Sequence, residues 1–208
     1  MKRVIWLIPV FVMALAMAGC GGDDDSGGDI GDNLRFSDML VYNADESLYT
    51  GADKTFTSNA GGSGLITGGK MSFSVDVPTS RLEPIATLFL DMEGDLDVFS
   101  HATYLPADTM AQRLIFTINL SKMYSSQTET SATRQIVHYI YVNKDCTINA
   151  TAIPPVPRGD ITINIPDLNL RLKRGWNPIH FNLVLKSPSG TLAIGKGNLS
   201  NCNWVFVY

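Results

Sequence analysis

The chain has 208 residues, 45% of them apolar and 17% charged, with a formal net charge of −4 and a pI near 5.3. That acidic balance offers no broad basic field for phosphate backbones, which argues against nucleic acid as a partner. Three cysteines without a CxxC spacing supply neither a dithiol redox motif nor a four-ligand zinc site.

Lys2 and Arg3 precede an apolar run from Val4 to Ala18, the pattern of a cleaved secretory signal peptide over residues 1–19. The run is shorter than the roughly 20 residues that a bilayer-spanning helix needs. Met17-Ala18-Gly19-Cys20 resembles the lipobox of bacterial lipoproteins, with Met17 where leucine is usual. The resemblance implies lipidation of Cys20, with palmitate a typical chain, and attachment to the outer membrane of a diderm bacterium. An ordinary signal peptide followed by an unmodified cysteine is the alternative. Cleavage before Cys20 removes Lys2 and Arg3 and no acid, which moves the formal charge from −4 to −6.

From Gly21 to about Asn33, aspartates 23, 24, 25, 29 and 32 alternate with glycines and leave nothing to bury. Residues 20–33 therefore read as a lipidated cysteine with a flexible, solvated tether. Acids placed just behind a lipidated cysteine also resemble the export signal of lipoproteins displayed on the cell surface.

Residues 34–208 read as one all-β domain, an antiparallel sandwich, because apolar and polar residues alternate over short runs broken by Gly, Pro, Asn or Asp. Strands are expected at Met39 to Asn43, Lys54 to Ser58, Lys70 to Val77, Ile85 to Asp91, Arg113 to Leu120 and Arg134 to Asn143. Further strands are expected at Thr147 to Ile153, Asp160 to Ile165, Leu168 to Lys173, Ile179 to Lys186 and Asn203 to Tyr208. Asn59 to Gly69, with five glycines, and the Ser/Thr-rich Ser121 to Thr133 read as loops free to meet a partner. Pro106 to Gln112 reads as a helical turn.

Cys146 and Cys202 remain as an even pair once Cys20 carries lipid. In an oxidising compartment they could form a disulfide worth roughly 4 kcal/mol in the chain-entropy model. Two buried free thiols are the alternative. Asp91, Glu93, Asp95 and Asp97 are candidate calcium ligands, since carboxylates at alternate positions suit a hard cation, but they lack the remaining ligands of a known loop pattern. Solvated acids at a turn between strands are the commoner reading of such a cluster. His101, His138 and His180 have no close ligand spacing, so no metal site is assigned to them. Gly61-Gly62-Ser63-Gly64-Leu65 departs from the Gly-x-Ser-x-Gly elbow, and no nucleophile, acid and base pattern or cofactor loop stands out. No catalytic residue and no cofactor are assigned.

The phrases Tyr139-Ile140-Tyr141-Val142-Asn143-Lys144-Asp145, Thr147-Ile148-Asn149-Ala150-Thr151 and Leu170-Arg171-Leu172-Lys173-Arg174-Gly175-Trp176-Asn177 resemble motifs of sparsely characterised bacterial outer-membrane lipoproteins with a β-sandwich domain. The Lys70 to Pro78 strand is similar to an earlier strand of the same set. The resemblance implies an architecture and brings no catalytic residues. In this chain, Lys173 to Asn177 reads as a hairpin connection in which Gly175 takes a positive φ and Trp176 packs on the core.

The function expected is that of a lipid-anchored envelope or cell-surface module. It would not be an enzyme, and it would meet the membrane through its anchor and a protein or glycan through its surface. A periplasm-facing assembly partner that pairs a client strand along a sheet edge is the alternative. A secreted hydrolase with a dispersed site is a third reading.

Overall fold

A computed structural model describes residues 31–78, 82–93 and 98–207, without the side chains of residues 90–93. The signal peptide, Cys20 and the tether as far as residue 30 lie outside the described residues. In chain order the elements are β1 (Leu34–Asn43), β2 (Lys54–Thr57), β3 (Ser63–Thr67), β4 (Lys70–Val75), β5 (Glu83–Pro84), α1 (Ile85–Glu93), β6 (Thr103–Leu105), β7 (Met110–Arg113) and β8 (Leu120–Gln127). They continue with β9 (Ser131–Val142), β10 (Cys146–Ala150), β11 (Val156–Arg158), β12 (Ile161–Asn164), β13 (Leu168–Leu172), β14 (Gly175–Lys186), β15 (Ser189–Lys196) and β16 (Asn203–Phe206).

The centre is the pair β9 and β14, antiparallel in unbroken register from Ser131↔Lys186 to Val142↔Gly175. β9 is apolar on both faces because both are covered, the usual reason that a strand loses its polar alternation. Val137, Tyr139 and Tyr141 enter one apolar cluster, whereas Ile140 and Val142 enter a second. Successive side chains of a strand point to opposite faces, so the two clusters flank this pair.

One flank is the small sheet β13-β10-β6 together with α1, whose Ile85, Leu88 and Phe89 are buried beside Ile148 and Leu170. The other flank comes from the main sheet itself, whose order is β11-β12-β15-β14-β9-β8-β16-β1-β4-β3-β2. A bulge between Phe36 and Met39, with Asp38 at φ +57°, bends β1 and lets the β1-β4-β3-β2 end lie over β9. Phe36 then meets Tyr139 and Trp204 edge to face, with ring centroids 5.1 and 5.0 Å apart. The all-β sandwich expected from the alternation is therefore the fold. Most neighbours are antiparallel, while β1 with β16 and β12 with β15 run parallel.

Several expected elements differ. Ile85 to Asp91, expected as a strand, lies within α1, and Ile85, Leu88 and Phe89 fall at helical spacing on its buried face. Pro106 to Gln112 is not a helical turn: Thr109 N–H donates to the Pro106 carbonyl at 3.3 Å, and the chain then enters β7. The expected loop Asn59 to Gly69 contains β3, and Ser121 to Thr133 is the β8–β9 hairpin, closed where Thr128 N–H donates to the Ser131 carbonyl at 2.7 Å. β15 falls in a stretch that the alternation did not single out.

Lys173 to Asn177 joins β13 of the small sheet to β14 of the main sheet, so it is a crossing between layers and not a hairpin. Gly175 does take a positive φ, +105°, and Trp176 is only 1% exposed. Asn177, fully buried, holds the crossing with its side chain: Oδ1 accepts from Lys173 N–H at 3.0 Å, and Nδ2 donates to the carbonyls of Lys173 and Gly175 at 2.7 and 2.8 Å.

Candidate functional site

β9 is paired along its whole length on the β14 side but not on the other. There β8 covers Ala132 to Val137 and β7 covers Ile140 to Val142. His138 and Tyr139 stand in the break, where Leu114 N–H donates to the Tyr139 carbonyl at 2.9 Å. The segment that could have filled the break, expected as a strand from Arg113 to Leu120, instead leaves the sheet after Arg113 and seals the outer edge of β2. Asn59 N–H donates to the Ile115 carbonyl, and Thr117 N–H to the Thr57 carbonyl, both at 2.9 Å. The Asn59 side chain completes the fastening, donating to the Arg113 carbonyl at 2.8 Å and accepting from Ile115 N–H at 2.9 Å.

This detour leaves a cavity of about 460 Å³ that reaches both faces of the sheet. By register, Arg113 and His138 share the face of Ile140, whereas Lys122, Tyr139 and Trp204 share the opposite face. Leu114, Phe116 and Ile118 add an apolar wall. The described lining carries the basic side chains Arg113 and Lys122 and no carboxylate side chain. A mostly apolar recess with a few converging polar groups is the usual form of a small-molecule site, and this volume lies within the customary range.

The electrostatics follow from burial. His138 packs edge to face on Phe181, with centroids 5.5 Å apart, and its pKa is pushed down to about 4, first by desolvation and second by the neighbouring Arg113 charge. It is a neutral imidazole at pH 7. Lys122, only 8% exposed, donates to Asn198 Oδ1 at 3.2 Å, and the Tyr139 hydroxyl donates to the same oxygen at 2.8 Å. Arg113 makes no side-chain hydrogen bond or ion pair to another described residue. Trp204 is 3% exposed, and its buried indole N–H has no partner on the protein.

The other candidates fall elsewhere. His101 is exposed in a 3-10 turn spanning Phe99–His101, and His180 projects from the opposite face to His138, its Nδ1 3.1 Å from the Gly197 carbonyl. The three histidines do not converge, and no group of three or more metal-ligating side chains occurs among the described residues. Asp91 and Glu93 end α1 without described side chains, and Asp95 and Asp97 lie outside the described residues, so the calcium quartet does too. Cys146 and Cys202 are free, buried thiols in different apolar clusters, and no bridge joins them. Ser63 lies exposed on β3, away from any elbow.

Sequence reasoning passed over Arg113, Lys122 and Trp204 as functional residues. The one available signal was Lys122, a charge followed by Met123 and Tyr124 in a stretch read as a loop. No known protein-family model matches the chain, and no curated protein or solved structure matches it at a significant level.

Proposed function

We propose that this protein is a lipid-anchored module of the bacterial outer membrane, displayed on the envelope or cell surface, which binds a ligand and catalyses no reaction. The lipobox-like Met17-Ala18-Gly19-Cys20 and the acidic spacer behind it support the anchoring half. The binding half rests on one observation, the cavity in the main sheet beside His138 and Tyr139, whose described lining combines cationic and hydrogen-bonding side chains with an apolar wall. The chain leaves the tether at a fixed point. Arg174 pairs with Asp32 at 2.8 Å, and Trp176 N–H donates to the Gly31 carbonyl at 2.8 Å, so the spacer meets the domain at the crossing between layers.

Metabolic labelling with palmitate, followed by membrane fractionation, tests the anchor. Label on the natural chain and none on Cys20→Ala is the expected result; label retained by Cys20→Ala overturns it. Protease shaving of intact cells, with a periplasmic control, reads which face carries the domain. Robust turnover of a glycan, peptide or ester substrate would overturn the non-catalytic half.

A further inference from the structure

We propose that an apolar patch over β1, β16, β8 and β9 is a self-association surface, on which a second copy of this chain seats face to face about a twofold axis. The patch lies beside the cavity at His138 and does not depend on a ligand there.

The surface follows from the register. β9 turns Ile136, Ile140 and Val142 to one face of the main sheet. Ile140 and Val142 lie in the apolar cluster that the small sheet and α1 cover, whereas Ile136 lies in neither cluster. From Ile136 the uncovered area runs outward across the sheet. Ile136 stands opposite Met123 on β8, and on the same face Val205 of β16 stands opposite Tyr42 of β1. Met123, Val205 and Tyr42 also lie outside both clusters, and each of these side chains is only half-buried. Two residues along from Tyr42 and Val205, Leu40 is 41% exposed and Val207 37%. The patch is hollowed by a cavity of about 560 Å³ that Tyr42, Met123, Val205 and Val207 help to line. Contiguous apolar surface of this kind marks contact with a partner.

The charges on the rim select the partner. Glu46 borders the cavity at the β1 side. Arg134, opposite Ser125 and two residues from Ile136, stands at the β9 side. Both are exposed, and neither side chain makes a hydrogen bond or ion pair with another described residue. The patch thus has an acid at one border, a base at the other and apolar surface between them. A twofold contact uses the same patch on both copies, so Glu46 of each meets Arg134 of the other while the apolar centres cover one another. Glu46 and its neighbour Asp45 would repel an anionic lipid surface. A strand-adding peptide needs an open edge, and these four strands all lie inside the sheet order.

The test is sedimentation equilibrium of the full chain carrying Cys20→Ala, which avoids detergent. A monomer–dimer equilibrium is expected, with Met123→Asp raising its dissociation constant at least about tenfold. Glu46→Arg and Arg134→Glu are each expected to raise it by about threefold or more, and the double variant to recover most of the loss, because the exchanged charges meet again. A chain that stays monomeric at about 1 mM, a dimer that Met123→Asp leaves intact, or single reversals that the double variant does not rescue each overturns the proposal. Should Met123→Asp fail to fold, the two surface reversals and their combination still decide. None of these outcomes turns on palmitate labelling or on a ligand beside His138, so the anchor and the binding cavity stand or fall separately.

Discussion

The backbone N–H of Trp176 donates to the carbonyl of Gly31 at 2.8 Å, across a glycine, Gly175, that has no room for a side chain. A Cβ on Gly175 would lie 2.3 Å from that same carbonyl oxygen, and its φ of +105° suits no other residue. Gly175→Ala is therefore expected to destabilise the domain by about 2–4 kcal/mol and to expose the junction near residue 31 to protease. Gly31→Ala makes the control, because it has a positive φ but open space around it, and it should cost no more than about 1 kcal/mol. Urea unfolding of the two variants checks the contrast; equal losses would remove the steric part of the explanation.

Asn177 makes three hydrogen bonds to the backbone of the crossing while fully buried. Asn177→Ala leaves the Lys173 and Gly175 carbonyls without their donor, and a loss of about 2–4 kcal/mol is expected. Asn177→Asp should be worse than alanine above pH 5, since a carboxylate would face two carbonyl oxygens in place of the amide donor. Unfolding curves of the pair at pH 7 read the ordering.

His138 makes stability pH-dependent in a defined window. Its folded pKa is about 4 against an ordinary 6.5, so above pH 6.5 it is neutral in both states and exacts no penalty. Between pH 6.5 and 4 the unfolded chain takes up a proton that the folded chain refuses, and stability falls by at most about 1.4 kcal/mol per unit. His138→Gln should flatten that part of the profile. An unchanged slope in the variant would place the loss on other groups.

Cys146 and Cys202 should behave as two sheltered thiols. Burial pushes the Cys202 thiol up, against the opposing influence of Lys122. Native protein is expected to resist alkylation at both sites, to take up two labels once unfolded, and to keep the same unfolding midpoint with or without reductant. A midpoint that drops on reduction would reveal a bridge.

The legible part of the fold lay where the side-chain period was intact. β10, β13 and the second half of β14 follow their alternation closely, and β9 stands out by its long run of β-branched and aromatic residues. The misreadings share two physical causes. Ile85 to Asp91 is a short apolar run, and over seven residues a buried strand and a buried helix face carry the same signal. Glycines inside the sheet serve packing, Gly64 within the stretch read as a loop among them. A Cβ on Gly64 would stand 2.4 Å from the Phe56 ring, and one on Gly195 would stand 2.6 Å from the His180 ring, so each lies inside a strand, under an aromatic side chain. The candidate site was illegible for a further reason. Arg113 to Leu120 does alternate as a strand should, and only the competing edge of β2, fastened by Asn59 and Thr117, draws it out of the sheet and opens the break.

The placement of β9 between two cores ties the halves of the molecule together. A slip of one residue against β14 would send Tyr139 and Tyr141 to the flank shaped for Ile140 and Val142, overfilling one layer and hollowing the other in the same step. Neither flank can loosen its share of the strand alone, so the helix-bearing layer and the folded-over layer should melt in a single cooperative transition, although they share few direct contacts and lie on opposite sides of the sheet.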